Sequence, residues 1–303
     1  MSITASMVAE LREKTGAGMM DCKKALTEAG GNMEEAIDLL RKKGLSAAAK
    51  KSGRVAAEGQ IAAAGEGAVG VLVEVNAETD FVAKNEAFQG FVSSVAQVVL
   101  ENDPKDVDAL NALSFPGTER SVAEELTHQI ATIGENMNIR RFVRFEAKPG
   151  TVASYIHGGG KIGTLVELQT EKGGEEEVSA LARQLAMHVA AANPQYLSRA
   201  EVPEDVVARE KEIMATKAKE SGKPENIIPK IVEGQLGKFF GEICLLEQAY
   251  VIDPDLKVEK VVADLAKQVG AAVKLTRFVR YQLGEGLEKK ADDFAAEVAA
   301  LSK

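Results

Sequence analysis

The chain has 303 residues, of which 45% are apolar and 27% are charged. This length suits two or three domains of ordinary size, and the composition is that of a folded globular protein, which excludes wholesale disorder. The net charge of -9 argues against general nucleic-acid binding, because affinity for a phosphate backbone comes from cationic side chains. We therefore expect no direct nucleic-acid partner.

Membrane, metal and cofactor chemistry have little support in the sequence. No run approaches the roughly 18 apolar residues that a membrane span needs, and the N-terminus lacks a signal-peptide pattern, so we expect a cytoplasmic protein without membrane contact. Cys22 and Cys244 are far apart, and neither belongs to a C-x-x-C motif. The sequence therefore predicts no disulfide, no metal site and no cofactor.

The first segment, up to about residue 45, reads as three short helices. Thr4 is a candidate N-cap, the run from Gly16 to Gly18 breaks the pattern, and Asn32 with Glu35 forms a capping signature for the third helix. So few residues make a marginal core, which is typical of a docking module. The clusters Arg41-Lys42-Lys43, Lys50-Lys51 and Arg140-Arg141 with Arg144 read as solvated faces.

An internal repeat is the most informative feature of the sequence. At an offset of 93 residues, Leu72-Val73-Glu74 matches Leu165-Val166-Glu167, and glycines precede both runs. Each copy reads as a β-hairpin around a glycine turn, followed by an apolar helix. At an offset of 136 residues, Arg141-Phe142-Val143-Arg144 matches Arg277-Phe278-Val279-Arg280 and closes each copy with a strand. These patterns predict an α+β fold with two β-β-α-β subdomains and antiparallel sheets.

The second copy is longer than the first by a helical insertion. Pro203 and Pro224 each open a helical pattern, and the loop from Ser221 to Pro224 joins the two helices. The sequence predicts an antiparallel coiled-coil hairpin here. A last helix is expected from Ala291 to Leu301.

No catalytic constellation is visible. In His157-Gly158-Gly159-Gly160-Lys161 the lysine is followed by a strand residue rather than by Ser or Thr, so the run does not fit a phosphate loop, and a tight hairpin turn is favoured. The three histidines have no metal-site spacing, and His188 reads as a core or interface residue. Cys22, in an apolar helix, reads as inert. We therefore predict that the chain is not an enzyme.

Two apolar features leave a choice between core and contact surface. Phe81 follows the first hairpin and is either an exposed anchor or, if the strand continues, an ordinary core residue; the pattern favours neither. For Met19 and Met20 the core interpretation is slightly favoured. The comparable connection in the second copy, Lys172 to Glu175, has no aromatic residue.

Three motifs closely resemble the bacterial translation elongation factor Ts family. They are Thr15-Gly16-Ala17-Gly18-Met19-Met20-Asp21-Cys22-Lys23-Lys24-Ala25-Leu26, Glu78-Thr79-Asp80-Phe81-Val82-Ala83-Lys84 and Asn138-Ile139-Arg140-Arg141. The resemblance runs to the C-terminal helix and implies five segments. These are a ubiquitin-associated-like helical module with its linker (1-54), a first core subdomain (55-145), a second core subdomain (146-200 and 246-284), the coiled-coil insertion (201-245) and a C-terminal helical module (285-303).

The resemblance also implies a function and its residues. Members bind elongation factor Tu in its GDP-bound and nucleotide-free states and release GDP so that GTP can replace it; an assembly of two Tu-Ts pairs is compatible with the resemblance. By position, Thr79, Asp80, Phe81 and Val82 would perturb the Mg²⁺ site of the partner. Arg12, Met19, Met20, Lys23 and His157 would make other contacts with it.

Two other functions stay open. The N-terminal helices could serve an adaptor that binds other partners, or the chain could itself act on nucleotides, which only the glycine run suggests. The role of residues 102-119 is not assigned.

Overall fold

A computed structural model describes residues 3-171 and 176-288. These residues form eleven α-helices and six β-strands. The helices are α1 (Ala5–Thr15), α2 (Met19–Glu28), α3 (Met33–Lys51), α4 (Asp80–Ala83), α5 (Glu86–Asn102), α6 (Val107–Asn111), α7 (Val122–Ile133), α8 (Glu176–Ala192), α9 (Glu204–Glu220), α10 (Ile228–Ile243) and α11 (Val258–Val269). The strands are β1 (Glu58–Ala64), β2 (Val69–Ala77), β3 (Met137–Glu146), β4 (Gly150–His157), β5 (Ile162–Thr170) and β6 (Val273–Gln282). The predicted α+β class is confirmed.

The chain divides into two compact units. The described residues of the first unit are 3-62, 73-142 and 282-288, and those of the second are 63-72, 143-171 and 176-281. The five predicted segments have finer boundaries than these units, and they stay a prediction. The predicted helix from Ala291 to Leu301 and the connection from Lys172 to Glu175 lie outside the described residues.

The three predicted N-terminal helices are present, and the third is longer than expected. Thr4 caps α1 by accepting a hydrogen bond from the Met7 amide, and Gly16 ends this helix with a φ of 65°. Asn32 caps α3, which continues to Lys51 and so includes the first five residues of Ala47 to Glu58, the stretch that the sequence indicates is a partly helical linker. The small core of this module is apolar and lies between the three helices; its fully buried members are Leu11, Cys22, Leu26 and Ala36.

Both predicted hairpins are present, each in a three-stranded sheet. The strand order is β1-β2-β3 in one sheet and β4-β5-β6 in the other. Strands β4 and β5 pair antiparallel from Gly150 opposite Gln169 to His157 opposite Ile162. Helix α8 packs on both of these strands and supplies much of the core of the second unit, including Leu185.

Each copy of the repeat contains a second helix that the sequence analysis did not predict. Helices α7 and α11 lie directly before the closing strands β3 and β6 and start 136 residues apart, which is the offset of those strands. Gly134 ends α7 with a φ of 92°, and Gly270 ends α11 with a φ of 64°. Because this conformation favours glycine, both helices end with the same kind of cap. The two copies therefore share the order β-β-α-α-β, to which the first copy adds the short helices α4 and α6 and the second adds α9 and α10.

Helices α9 and α10 pack against each other within the second unit. Pro203 precedes α9, as expected, whereas Pro224 opens a short 3₁₀ turn before α10. The two ends of this insertion are hydrogen-bonded to each other: the Tyr196 amide donates to the Ile243 carbonyl at 3.1 Å, and the Leu245 amide donates to the Tyr196 carbonyl at 2.8 Å. The insertion therefore begins and ends at one place in the second unit.

Candidate functional site

The Phe81 turn, defined here as residues 79-82, is a short helical turn that exposes one large apolar side chain. Strand β2 ends at Ala77, and α4 holds only four residues. Phe81 is 78% exposed, whereas Val82 is 6% exposed and faces the interior. The strand therefore does not continue through Phe81. Of the two interpretations that the sequence left open, the exposed one is correct.

One lysine contacts two side chains of this turn. The Nζ of Lys84 lies 2.8 Å from an Asp80 carboxylate oxygen and 5.8 Å from the centre of the Phe81 ring. Both partners are largely solvated, so such an ion pair contributes little to folding stability. Its effect is local, because it holds a cation beside the exposed ring.

The start of the Phe81 turn and the residue before it are hydrogen-bonded to the segment before β3. Thr79 donates from its amide and from its hydroxyl to the two carboxylate oxygens of Glu135, at 3.0 Å and 2.7 Å. In the other direction, the Asn136 amide donates to Glu78 Oε1 at 2.6 Å, and Arg54 approaches the same oxygen at 3.3 Å. Glu135 belongs to no motif, and only its place after the left-handed glycine that ends α7 could have indicated it from the sequence.

The N-terminal helices expose a second apolar surface. Met19 and Met20 are 60% and 63% exposed, so the favoured interpretation of these residues as core was wrong. They occupy the first turn of α2, whose inward positions are filled further along the helix by Cys22 and Leu26. Arg12 and Lys23 are also exposed on these helices, and the contacts with the partner that the resemblance implies for them stay a prediction.

His157 lies apart from these residues in the sequence and belongs to the second unit, at the end of β4. It is exposed, and its Nδ1 lies 3.1 Å from the hydroxyl of Tyr155. The three glycines that follow all have positive φ angles, and the Lys161 amide donates back to the His157 carbonyl at 3.1 Å. This is the expected tight hairpin turn.

Two arginines that sequence analysis interpreted as a solvated face bind a buried carboxylate instead. Glu74, in β2, is fully buried and accepts hydrogen bonds from Arg141 Nε at 2.6 Å and Arg140 Nη1 at 3.0 Å. Asn76 and the Gly284 amide also donate to it, at 3.2 Å and 2.9 Å. Burial raises the pKa of Glu74, but the bonds from Gly284, Arg141 and Arg140 outweigh it and hold the pKa below its ordinary value.

The same network recurs in the second unit. Glu167, in β5, accepts from Arg277 Nε at 2.6 Å, from the Thr276 hydroxyl at 2.7 Å and from Gln169 at 3.3 Å. Each donor occupies the repeat position of a donor to Glu74, at the same offsets of 93 and 136 residues. The repeated Glu and Arg were visible in the sequence, but pairing them required the strand order.

His188 is buried, as predicted, in the second unit. Its Nδ1 accepts from the Val251 amide at 3.2 Å, so its Nε2 carries the proton and donates to Gln248 Oε1 at 2.9 Å. Burial lowers the pKa of this imidazole, and the bond to Gln248 offsets only part of the effect. The neutral imidazole thus accepts one hydrogen bond, from the Val251 amide, and donates one, to Gln248.

Among the described residues, no group of three His, Cys, Asp or Glu side chains is placed to hold a metal ion. Cys22 and Cys244 are both buried, and burial raises the pKa of the Cys244 thiol. Within the same part of the chain, no helix is both long and apolar enough to cross a membrane.

Comparisons with known proteins point to one family. A sequence model of the family described as Elongation factor TS matches residues 78-285. The chain is 69% identical to "Elongation factor Ts" of Syntrophotalea carbinolica over 303 residues, covering 100% of both chains. It is 56% identical to the proteins of the same name from Magnetococcus marinus and Trichlorobacter lovleyi, covering 99% of this chain and 98% of each relative. The chain belongs to the elongation factor Ts family.

Proposed function

We propose that this chain releases GDP from elongation factor Tu by inserting Phe81 into its nucleotide-binding domain and perturbing its Mg²⁺ site. The observation that carries this proposal is the 78% exposure of Phe81 on a turn held by hydrogen bonds to the rest of its unit. The factor binds elongation factor Tu in its GDP-bound state and stays bound to it after GDP has dissociated.

The coarser part of this function comes with the family. A member of the elongation factor Ts family is a nucleotide-exchange factor for elongation factor Tu in translation elongation, and it is not an enzyme. No bond of the nucleotide is made or broken by such a factor. Such a factor therefore acts by binding two states of its partner with different affinities.

An exposed phenylalanine suits this task because its burial in a partner stabilises the complex. Complete burial of such a side chain is worth about 1.5–3 kcal/mol, and aromatic anchors concentrate interface energy. A packed helix pair in the partner responds to an inserted ring by switching between discrete arrangements. If the switch displaces the Mg²⁺ ion, the phosphate charges of GDP lose their counter-charge and the nucleotide is bound more weakly.

Asp80 places a carboxylate beside that ring. A negative charge brought close to the Mg²⁺ site alters the field that holds the ion, and we assign Asp80 this part of the perturbation. Thr79 and Val82 serve the turn itself, since Thr79 bonds to Glu135 and Val82 is buried. Asp80 and Phe81 thus act on the partner, and Thr79 and Val82 hold the turn that carries them.

Thermodynamic linkage sets a condition on this mechanism. If the factor weakens GDP binding to the partner by some ratio, GDP weakens binding of the factor by the same ratio. The factor must therefore bind the nucleotide-free partner more tightly than the GDP-bound one. Titration of both forms with this chain measures that ratio directly.

The other exposed residues form secondary contacts in this proposal. Met19 and Met20 offer an adaptable apolar surface on α2. Lys23 adds a cation on the same helix, and Arg12 adds one on α1. His157 makes a separate contact from the second unit. The hairpin α9-α10 is an accessory contact, and we also propose that two Tu-Ts pairs associate, which light scattering of the purified complex tests.

The experiment is stopped-flow release of fluorescent GDP from loaded elongation factor Tu, with this chain in excess. Loss of the Phe81 ring removes about 1.5–3 kcal/mol of contact, so Phe81→Ala should slow stimulated release by about ten- to a hundredfold. Leu45→Ala is the matched control, because Leu45 is also apolar and exposed, at 54%, and lies outside the proposed contacts. It should leave the rate unchanged.

An unaltered release rate with Phe81→Ala would contradict the proposal. If Met19→Ala and Met20→Ala then slowed release instead, docking through the N-terminal helices would be the active contact. Equilibrium binding of GDP and GTP to the chain alone, which we expect to be absent, tests the remaining alternative that the chain acts on nucleotides itself.

A further inference from the structure

The Phe81 turn does not hold its own shape. Its helix α4 has four residues, and a single helical turn is unstable in water because nucleation costs more than the few hydrogen bonds return. Thr79 stands at the N-cap position, yet its side chain makes no capping bond to the helix. The position of the turn is therefore set by contacts outside it.

Glu135 supplies two of those contacts. Its Oε2 accepts the Thr79 amide at 3.0 Å, and its Oε1 accepts the Thr79 hydroxyl at 2.7 Å. Two bonds between one carboxylate and one residue fix direction as well as distance. Both are charge-assisted and lie in a half-buried place, where such bonds are stronger than neutral ones in water.

Glu135 is itself held on both sides. Gly134 precedes it at the end of α7 with a φ of 92°, and Asn136 follows it. The Asn136 amide donates to Glu78 Oε1 at 2.6 Å, and its side chain donates to the Arg54 carbonyl at 2.7 Å. Residues 78-79 and 135-136 thus bond to each other reciprocally, directly beside the neighbouring strands β2 and β3.

The other end of the turn is held as well. Val82 is buried, and the Asn85 amide donates to its carbonyl at 2.9 Å. Asn85 in turn caps α5, accepting from the amides of Ala87 and Phe88 at 2.9 Å and 3.2 Å. Phe81 lies between these two fixed points with its ring in solvent.

We propose that Glu135 is a positioning residue for nucleotide exchange, acting through Thr79 to hold Phe81 in the arrangement that enters the partner. This inference rests on the proposed function of Phe81. A ring that is already held in its binding arrangement loses less conformational freedom when it enters the partner. Binding is therefore tighter although no further contact is made. Glu135 need not touch the partner for this effect.

The test is a double-mutant cycle on the rate of stimulated GDP release, measured with the full chain and loaded elongation factor Tu. With Phe81 present, Glu135→Ala should slow release by about three- to tenfold, as expected for loss of an ordered side chain or turn. In a Phe81→Ala background it should have almost no further effect, because no ring remains to be placed. A role in folding alone would slow release in both backgrounds.

Two further variants protect the test against misfolding. Thr79→Val removes only the hydroxyl bond and should slow release less than Glu135→Ala, again only when Phe81 is present. Glu135→Gln keeps one acceptor oxygen and should restore part of the rate. Ser121→Ala is the matched control, because it removes a capping bond from α7 in the same unit and leaves residues 78-82 untouched; it should not change the rate.

The possible results separate the two proposals. Equal slowing by Glu135→Ala in both backgrounds, or no slowing in either, would overturn the inference while a slow Phe81→Ala variant keeps the proposed function standing. If Phe81→Ala releases GDP at the parent rate, the proposed function fails, and any effect of Glu135→Ala must then act through something other than the ring.

Discussion

The buried Glu74 allows a sharp test of what holds the first unit together. Replacing it with Gln keeps the shape of the side chain but removes the charge and turns one acceptor oxygen into an NH₂ donor. If the amide oxygen keeps the Oε1 position, it can still accept from Gly284 and Arg140. The amide nitrogen then faces Arg141 Nε, donor against donor.

The size of the effect follows from burial. Removing one charge from a buried pair costs about 3–5 kcal/mol. The Arg140 and Arg141 side chains retain 23% and 29% of their exposure, so water replaces part of the lost interaction. We expect Glu74→Gln to lower the free energy of unfolding by about 2–4 kcal/mol. For Glu167→Gln, whose single arginine partner is 45% exposed, we expect about 1–3 kcal/mol.

Amide hydrogen exchange of the whole chain measures both effects locally, because protection reports the free energy of opening segment by segment. Glu74→Gln should reduce protection in β2 and β3, and Glu167→Gln in β5 and β6. Glu10→Gln is the control, since its pair with Lys14 is exposed to solvent and adds little to stability. Should Glu74→Gln reduce protection no more than Glu10→Gln, the reasoning on buried pairs would be refuted.

Two further predictions concern pH and backbone conformation. Because the pKa of His188 is lowered in the fold, the unfolded chain binds its proton first, and stability should fall as the pH drops from about 7 to about 5; His188→Gln should flatten this dependence in denaturant titrations at the two pH values. Gly59 has a φ of 121°, and an added Cβ would overlap a carbonyl of β2, so Gly59→Ala should cost about 1–3 kcal/mol or more in thermal unfolding. Gly90→Ala, in open space on α5, should instead stabilise by up to about 1 kcal/mol.

The sequence predicted those parts of the fold that repeat. Matches at two fixed offsets located both hairpins and both closing strands, because strands and glycine turns have short-range signatures. The same comparison could have located α7 and α11, since Gly134 and Gly270 stand at the second offset. Helix α7 also has a local signature, because Ser121 followed three residues later by Glu124 is a capping-box pattern, and both of its hydrogen bonds are present in the structure.

Contacts that depend on strand order were beyond prediction. Nothing in the neighbourhood of Arg141 distinguishes a solvated arginine from one that binds a buried carboxylate 67 residues away. The exposure of Met19 and Met20 depended likewise on which residues fill the inside of α2. For Phe81 the alternation of β2 gave no end point, so only the structure decided between core and surface. Glu135 shows the same limit, because its partner Thr79 is distant in sequence and adjacent in space.

The hydrogen bonds between Tyr196, Ile243 and Leu245 join the two ends of the α9-α10 hairpin. The hairpin is therefore an insertion at one place and does not connect separate parts of the fold. Because the two ends of the hairpin are bonded to each other, its length can change without moving the strands and helices from which it extends. Insertions, deletions and substitutions within such a hairpin can therefore be accepted without a change in the rest of the fold. The same property makes it a natural attachment point for engineered probes.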